Sequence, residues 1–229
     1  MWKRGEALKK FKDIHKGERC FIVGTGPSLN KTNFNLIKDE IIFGVNTLYT
    51  GLEKFKIKCK YYAVSDYMVW ENHYQNILSL DTILFLSSGA ADLYLRNGRH
   101  VGDRQKAEVY IIHELGRIWT AGDISKDIVR GAYLGETIII DICLQVAYYM
   151  GFDKVYLLGC DCDYSGLHRF DGSITDNIGG RGVLDDWSDI FYGYEICKRA
   201  FEADGREIIN VTVGGKLEVF KRAKLEDIV

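Results

Sequence analysis

A chain of 229 residues, 47% hydrophobic and 27% charged, is long enough to bury a full core as one α/β domain. Its formal net charge of -2 gives no global attraction for nucleic acid, and no apolar run approaches the roughly 18 to 20 residues of a membrane span. Met1-Trp2-Lys3-Arg4-Gly5-Glu6 goes straight into charge, so no secretory leader is read there and a cytoplasmic protein is expected.

Residues 2–16 come first. Leu8, Phe11 and Ile14 recur among lysines and predict an amphipathic helix over 6–15, which docks on its own domain or makes a peripheral contact with the inner face of a membrane. The next apolar run, Cys20-Phe21-Ile22-Val23, breaks into Gly24-Thr25-Gly26-Pro27-Ser28. A strand that ends in Gly-x-Gly and turns into a helix points backbone N–H groups outward, with the positive end of the helix dipole behind them, which suits a phosphate. The third glycine of the dinucleotide fingerprint and the lysine of a Walker loop are both missing, so a tight turn with no ligand is the alternative. Further strands are predicted over 41–45, 61–64, 82–86, 155–158 and 208–211, and helices over 33–38, 138–150 and 187–203. The alternation predicts an α/β fold over 1–229: a single Rossmann-like domain, mostly parallel sheet, helices on both faces.

In such sheets ligands collect beyond the carboxyl ends of the strands. Those positions hold Gly24, Thr25, Gly26 and Ser28, then Asn46, then Ser65 and Asp66, then Gly159-Cys160-Asp161-Cys162-Asp163-Tyr164. Four strand ends thus deliver small or polar residues to one rim, which predicts a polar ligand site. Asp161 and Asp163 have the spacing of a metal-binding Asp-x-Asp that holds magnesium or manganese against a diphosphate; alternatively Asp161 caps a loop and Asp163 is solvated. His168 beside Arg169 pairs a group that titrates near neutrality with a fixed cation. Asp141 interrupts an apolar helix, where a buried carboxylate needs a partner or a raised pKa, and Gly135-Glu136-Thr137 opens that helix. Asp176-Asn177-Ile178-Gly179-Gly180-Arg181-Gly182 reads as part of a mobile lid over about 165–186, and Asn97-Gly98-Arg99-His100 as a turn. The six cysteines read as reduced, mostly buried thiols.

Residues 21–29, the following Asn46, and the block Ala147-Tyr148-Tyr149-Met150-Gly151-Phe152-Asp153-Lys154-Val155-Tyr156-Leu157-Leu158-Gly159-Cys160-Asp161 resemble a bacterial family of polysaccharide-locus proteins. That family is related to the 6-hydroxymethylpterin diphosphokinase-like proteins and to the sialyltransferases of glycosyltransferase family 42. The resemblance runs from about Gly17 to Phe220 and ends on Asn210-Val211-Thr212-Val213-Gly214-Gly215-Lys216. It implies a CMP-sugar or similar nucleotide-activated donor and a glycan or lipid-linked acceptor, in surface polysaccharide assembly. Gly24, Thr25, Gly26 and Ser28 would then line the leaving phosphate. Asn46 matches a family asparagine that contacts the donor, and Ser65 or Asp66 falls near a second. Gly159 and Asp161 match a glycine and an aspartate of the later strand, Thr137 lies near a Ser/Thr-Gly donor contact, and His168 near a tyrosine that serves the departing phosphate. Where the family carries its catalytic histidine, this chain has Leu184-Asp185-Asp186-Trp187, so Asp185 or Asp186, or else His168, would handle the proton as the catalytic group. Two other readings stay open: an ATP-dependent pyrophosphokinase acting on a pterin-like alcohol, and a nucleotide-binding subunit without catalysis. A homo-oligomer is left open as well.

Overall fold

The computed structural model describes residues 2–96, 105–163, 165, 169–172 and 188–229. The strands are β1 (Lys3–Arg4), β2 (Arg19–Val23), β3 (Ile42–Val45), β4 (Tyr61–Val64), β5 (Ile83–Ser87), β6 (Glu108–Ile112), β7 (Glu114–Arg117), β8 (Ala132–Leu134), β9 (Lys154–Leu158), β10 (Glu207–Asn210) and β11 (Lys221–Arg222). The α-helices are α1 (Leu52–Phe55), α2 (Tyr67–Leu78), α3 (Ser88–Arg96), α4 (Ile118–Ala121), α5 (Gln145–Met150) and α6 (Ser188–Ala203). Nine strands form one sheet in the order β1-β6-β5-β4-β3-β2-β9-β10-β11, every pair parallel, while β7 and β8 pair apart from it.

Parallel strands need crossovers that cover both faces of the sheet, so their apolar runs are continuous and alternate residues go to opposite cores. Cys20, Ile22, Phe43, Tyr61, Phe85, Tyr110, Val155 and Leu157 pack on one side with Leu8, Phe11, the segment 138–150 and α6. Phe21, Val23, Ile42, Tyr62, Leu84, Val109, Tyr156 and Leu158 pack on the other with Leu29, Phe34, Leu48, Trp70 and Tyr94. From β2 the chain steps through β3, β4, β5 and β6 toward one edge, and from β9 through β10 and β11 toward the other. The adjacent strands β2 and β9 therefore form the switch point, where the connections diverge and leave a crevice at the carboxyl ends.

The predicted strands are all present, within one or two residues. The helix expected over 33–38 is only a 3-10 turn, Phe34–Leu36, with the Asn33 side chain accepting from the Asn35 amide at 3.3 Å. The stretch expected as a helix over 6–15 is a 3-10 helix, Gly5–Phe11, ended before Asp13 takes a left-handed φ of 54°. Its apolar residues Leu8 and Phe11 are buried in the core of the protein itself, while Ile14 is exposed. Trp2 stacks on Tyr94 at 5.3 Å between ring centres and meets Trp70 edge-on at 5.9 Å. Among the described residues no helix is long and apolar enough to cross a membrane, and all six cysteines are free.

Candidate functional site

At the carboxyl edge of the sheet a cavity of about 850 Å³ opens over the switch point. Its floor is the ends of β2, β3, β4 and β9: Gly24, Thr25, Gly26, Asn46, Ser65, Asp66, Gly159, Asp161 and Asp163. Its far wall is Glu114 and Arg117 from β7, Glu136, Thr137 and Asp141 after β8, and Tyr194 from α6. The predicted binding residues that the structure describes, Ser28 apart, thus meet around one cavity. Ser28 lies beneath it, only 4% exposed. Tyr164, His168, Asp185, Asp186 and most of the lid over 165–186 lie outside the described residues.

The glycine loop is built differently from the expected outward cradle. The Gly24 amide donates to Leu158 O at 2.8 Å and the Gly26 amide to Gly159 O at 2.9 Å, so both extend the contact between β2 and β9. Asp161 occupies the start of the following 3-10 helix, Pro27–Lys31: its carboxylate accepts from the Ser28 amide at 3.1 Å and from the Ser28 hydroxyl at 2.7 Å. A β-carbon on Gly26 would coincide with that carboxylate and stand 2.7 Å from Gly159 O. Gly26 is therefore required by close approach of the protein to itself. Burial pushes the Asp161 carboxyl up, and the Ser28 bonds oppose that shift. Gly215, at φ 79°, brings the C-terminal loop against the same segment, and the Lys216 amide donates to Asp161 O at 2.7 Å.

Asn46 has a left-handed backbone, φ 47°, and its side-chain Oδ1 is buried without a hydrogen-bond partner. Glu136 (φ 69°) and Cys162 (φ 47°) also line the cavity in left-handed conformations. Strained non-glycine residues of this kind concentrate at functional sites. Asp66 is drawn into the fold: one oxygen caps α2, accepting from the Met68 amide at 2.7 Å and the Val69 amide at 3.3 Å.

Ser65 turns the other way, donating its hydroxyl to Asp141 at 3.0 Å. Asp141 stands in a π-helical turn, Ile139–Leu144, between buried isoleucines, and its other oxygen accepts from the Gly135 amide at 2.6 Å. Burial pushes its carboxyl up to about 7 despite these two bonds, with the charges of Glu136 and Glu114 adding to the rise. The turn is held by Gln145, whose side chain is fully buried. Gln145 Nε2 donates to Ile140 O at 2.8 Å, Asp141 O at 3.2 Å and Tyr133 O at 2.7 Å, while Oε1 accepts from the amides of Ser125 at 2.9 Å and Tyr133 at 3.0 Å. π-turns free carbonyls from the regular ladder, and here one amide side chain takes them up. The sequence marks Asp141 as an interruption, but no local signal announces Gln145, Glu114, Arg117 or Tyr194, whose places depend on non-local packing.

Asp163 accepts from the Ser165 hydroxyl at 2.7 Å and pairs with Lys216 at 2.9 Å. The Ser165 bonds and Lys216 together hold its carboxyl down at about 2. Both carboxylates of the Asp-x-Asp thus have protein partners. Among the described residues no three His, Cys, Asp or Glu side chains converge on one point. A divalent cation held there with a diphosphate would have to displace the Ser28 bonds of Asp161 or the Lys216 pair of Asp163. For anions, the cavity offers Arg96, Arg169 and Arg117, the last paired with Glu136 at 2.6 Å.

A family model described as "6-hydroxymethylpterin diphosphokinase MptE-like" matches residues 2–166. No curated protein matches the chain. Among solved structures, the MAf glycosyltransferase from Magnetospirillum magneticum AMB-1 shares the fold, with a TM-score of 0.61 at 15% identity over 97% of this chain. The chain corresponds to 38% of the length of that protein.

Proposed function

This chain belongs to the MptE-like family, and from that membership together with the crevice at β2 and β9 we propose that it is a transferase for a nucleotide-activated donor, with glycosyl transfer from a CMP-sugar as the reaction. The observation that carries the reading is Asn46. A buried oxygen with no partner forfeits about 1 to 3 kcal/mol unless a donor group meets it. Asn46 lines the cavity and its Oδ1 has none in the protein; a turn of the side chain toward the cavity would bring it to a hydroxyl of a ribose or the exocyclic amine of a cytosine. The sugar and the acceptor then occupy the side bounded by Asp141, Glu136 and Arg117. Arg96, Arg117 and Arg169 line the crevice, which suits a glycosyl donor whose phosphate is stabilised by hydrogen bonds and arginine.

A second reading, diphosphate transfer from ATP to a pterin-like alcohol, is favoured by the description of the family itself. It would need a divalent cation for the diphosphate. The two are separated by thermal denaturation against CMP, CDP, UDP, GDP, ADP and ATP, each with and without EDTA. A ligand at 100 times its Kd adds about 2.7 kcal/mol. Stabilisation by CMP that survives EDTA is the expected result. Stabilisation by ATP alone, lost with EDTA, would replace glycosyl transfer by the second reading, and no response to any nucleotide would end both.

A further inference from the structure

Asp141 is 8% exposed and lines the cavity. The surrounding Ile-Ile-Asp-Ile-Cys-Leu turn is otherwise apolar, so the carboxylate is a lone charge-bearing group in an apolar segment, held only by the Ser65 hydroxyl and the Gly135 amide. Its two bonds, from the Ser65 hydroxyl and the Gly135 amide, leave each oxygen a free lone pair. They fix the orientation of the group without neutralising it. We propose that Asp141 is a catalytic residue of this crevice, the base that receives the proton of the acceptor hydroxyl; the inference rests on reading the crevice as a transferase site.

In that step the acceptor oxygen bonds to the anomeric carbon of the donor sugar. The bond from that carbon to the phosphate oxygen breaks, its electron pair leaves on the phosphate, and the hydroxyl proton passes to a carboxylate oxygen of Asp141. The carboxylic acid then returns the proton to water. A base does this work best when its pKa lies near the working pH. Burial, with the carboxylates of Glu136 and Glu114, sets that of Asp141 at about 7. The other groups that face it are Ser65 and Gly135 as donors, Cys143 on its own turn and Cys197 on α6, both of whose thiols burial pushes well up, so that they stay neutral; Arg117 reaches this wall paired with Glu136. Activity therefore rises with pH as Asp141 loses its proton.

The test uses the whole chain and three proteins: wild type, Asp141→Asn and Ser65→Ala. Nucleotide binding is read by thermal shift with CMP and ATP. Turnover is read as release of CMP from CMP-N-acetylneuraminate, or of AMP from ATP if only ATP binds, with water as acceptor, from pH 5 to 9. Asn is isosteric and can keep both contacts, its carbonyl toward Gly135 and its amide toward Ser65. Asp141→Asn should bind nucleotide like wild type, lose roughly 10² to 10⁴-fold in turnover, and lose the ascending limb near pH 7. Ser65→Ala removes a bond that favours the anion, so its limb should move to higher pH. A merely structural role would move neither limb. An Asp141→Asn variant that keeps the limb, with turnover within about threefold of wild type, overturns the proposal, as does a Ser65→Ala limb that stays in place. If Asp141→Asn fails to fold, the Ser65→Ala limb decides alone. If no nucleotide binds the wild type, or none is turned over, the transferase reading has failed and this inference fails with it.

Discussion

Asn46 combines two unfavourable features in one residue, a left-handed backbone and a buried oxygen with no partner. A side chain whose role was only structural would be improved by glycine, which accepts the same φ without strain. Asn46→Gly should therefore separate stability from binding. Removing the unpaired oxygen relieves about 1 to 3 kcal/mol, which exceeds the roughly 0.4 to 1 kcal/mol that glycine adds to the entropy of the unfolded chain. The expected result is a melting temperature equal to or above wild type, with nucleotide affinity weakened by about 1 to 3 kcal/mol. Calorimetric Kd values and melting curves on the same two samples check it. A lower melting temperature with unchanged affinity would make Asn46 an ordinary turn residue.

The π-turn is the element that aims the site. An extra residue in a helical turn leaves no trace in a run such as Ile138-Ile139-Ile140-Asp141-Ile142-Cys143-Leu144, because every residue of the run but Asp141 is apolar and one polar position sets no period. The existence of a helix over 138–150 was therefore legible in the sequence, whereas the π-geometry was not. Gln145 is what distinguishes the two, and its partners at Ser125 and Tyr133 are 20 and 12 residues away. Gln145→Leu keeps the volume and removes the donors and the acceptor. Two amides and three carbonyls would lose that partner in a buried place, at about 1 to 3 kcal/mol for each group left unmet. We expect at least about 3 kcal/mol of destabilisation in urea, after partial relaxation of the turn. Where the variant still folds, it should bind nucleotide at the Asn46 end while turnover collapses, because Asp141 no longer faces the cavity. A loss below about 1 kcal/mol would show that the turn holds itself. Gly26 gives the complementary lesson. Its glycine was legible as a requirement, but the sequence pointed to a phosphate, and the group it makes room for is Asp161, 135 residues further on.

At the scale of the molecule the alternation of apolar runs and polar strand ends was enough to read a parallel sheet and the edge where its polar residues meet. It could not show the order of the strands. That order makes β2 and β9 neighbours, joins the Gly24 loop to Asp161, and places the crevice between them. It also has a mechanical consequence. The inner strands from β6 to β10 contribute side chains to both cores, for example Ile22 to one and Phe21 to the other, so neither core can be lost without exposing the sheet that supports the other. The chain should unfold in urea as one cooperative unit. Trp2 and Trp70 report from one face and Trp119 from the other, so fluorescence samples both layers while far-UV circular dichroism samples the sheet and helices together. The two transitions should coincide, and a nucleotide at 100 times its Kd should move both by the same amount, about 2.7 kcal/mol. Separate midpoints would show two folding units where a single one is expected. A nucleotide that moved only one of them would place its site within one unit, away from the β2–β9 junction.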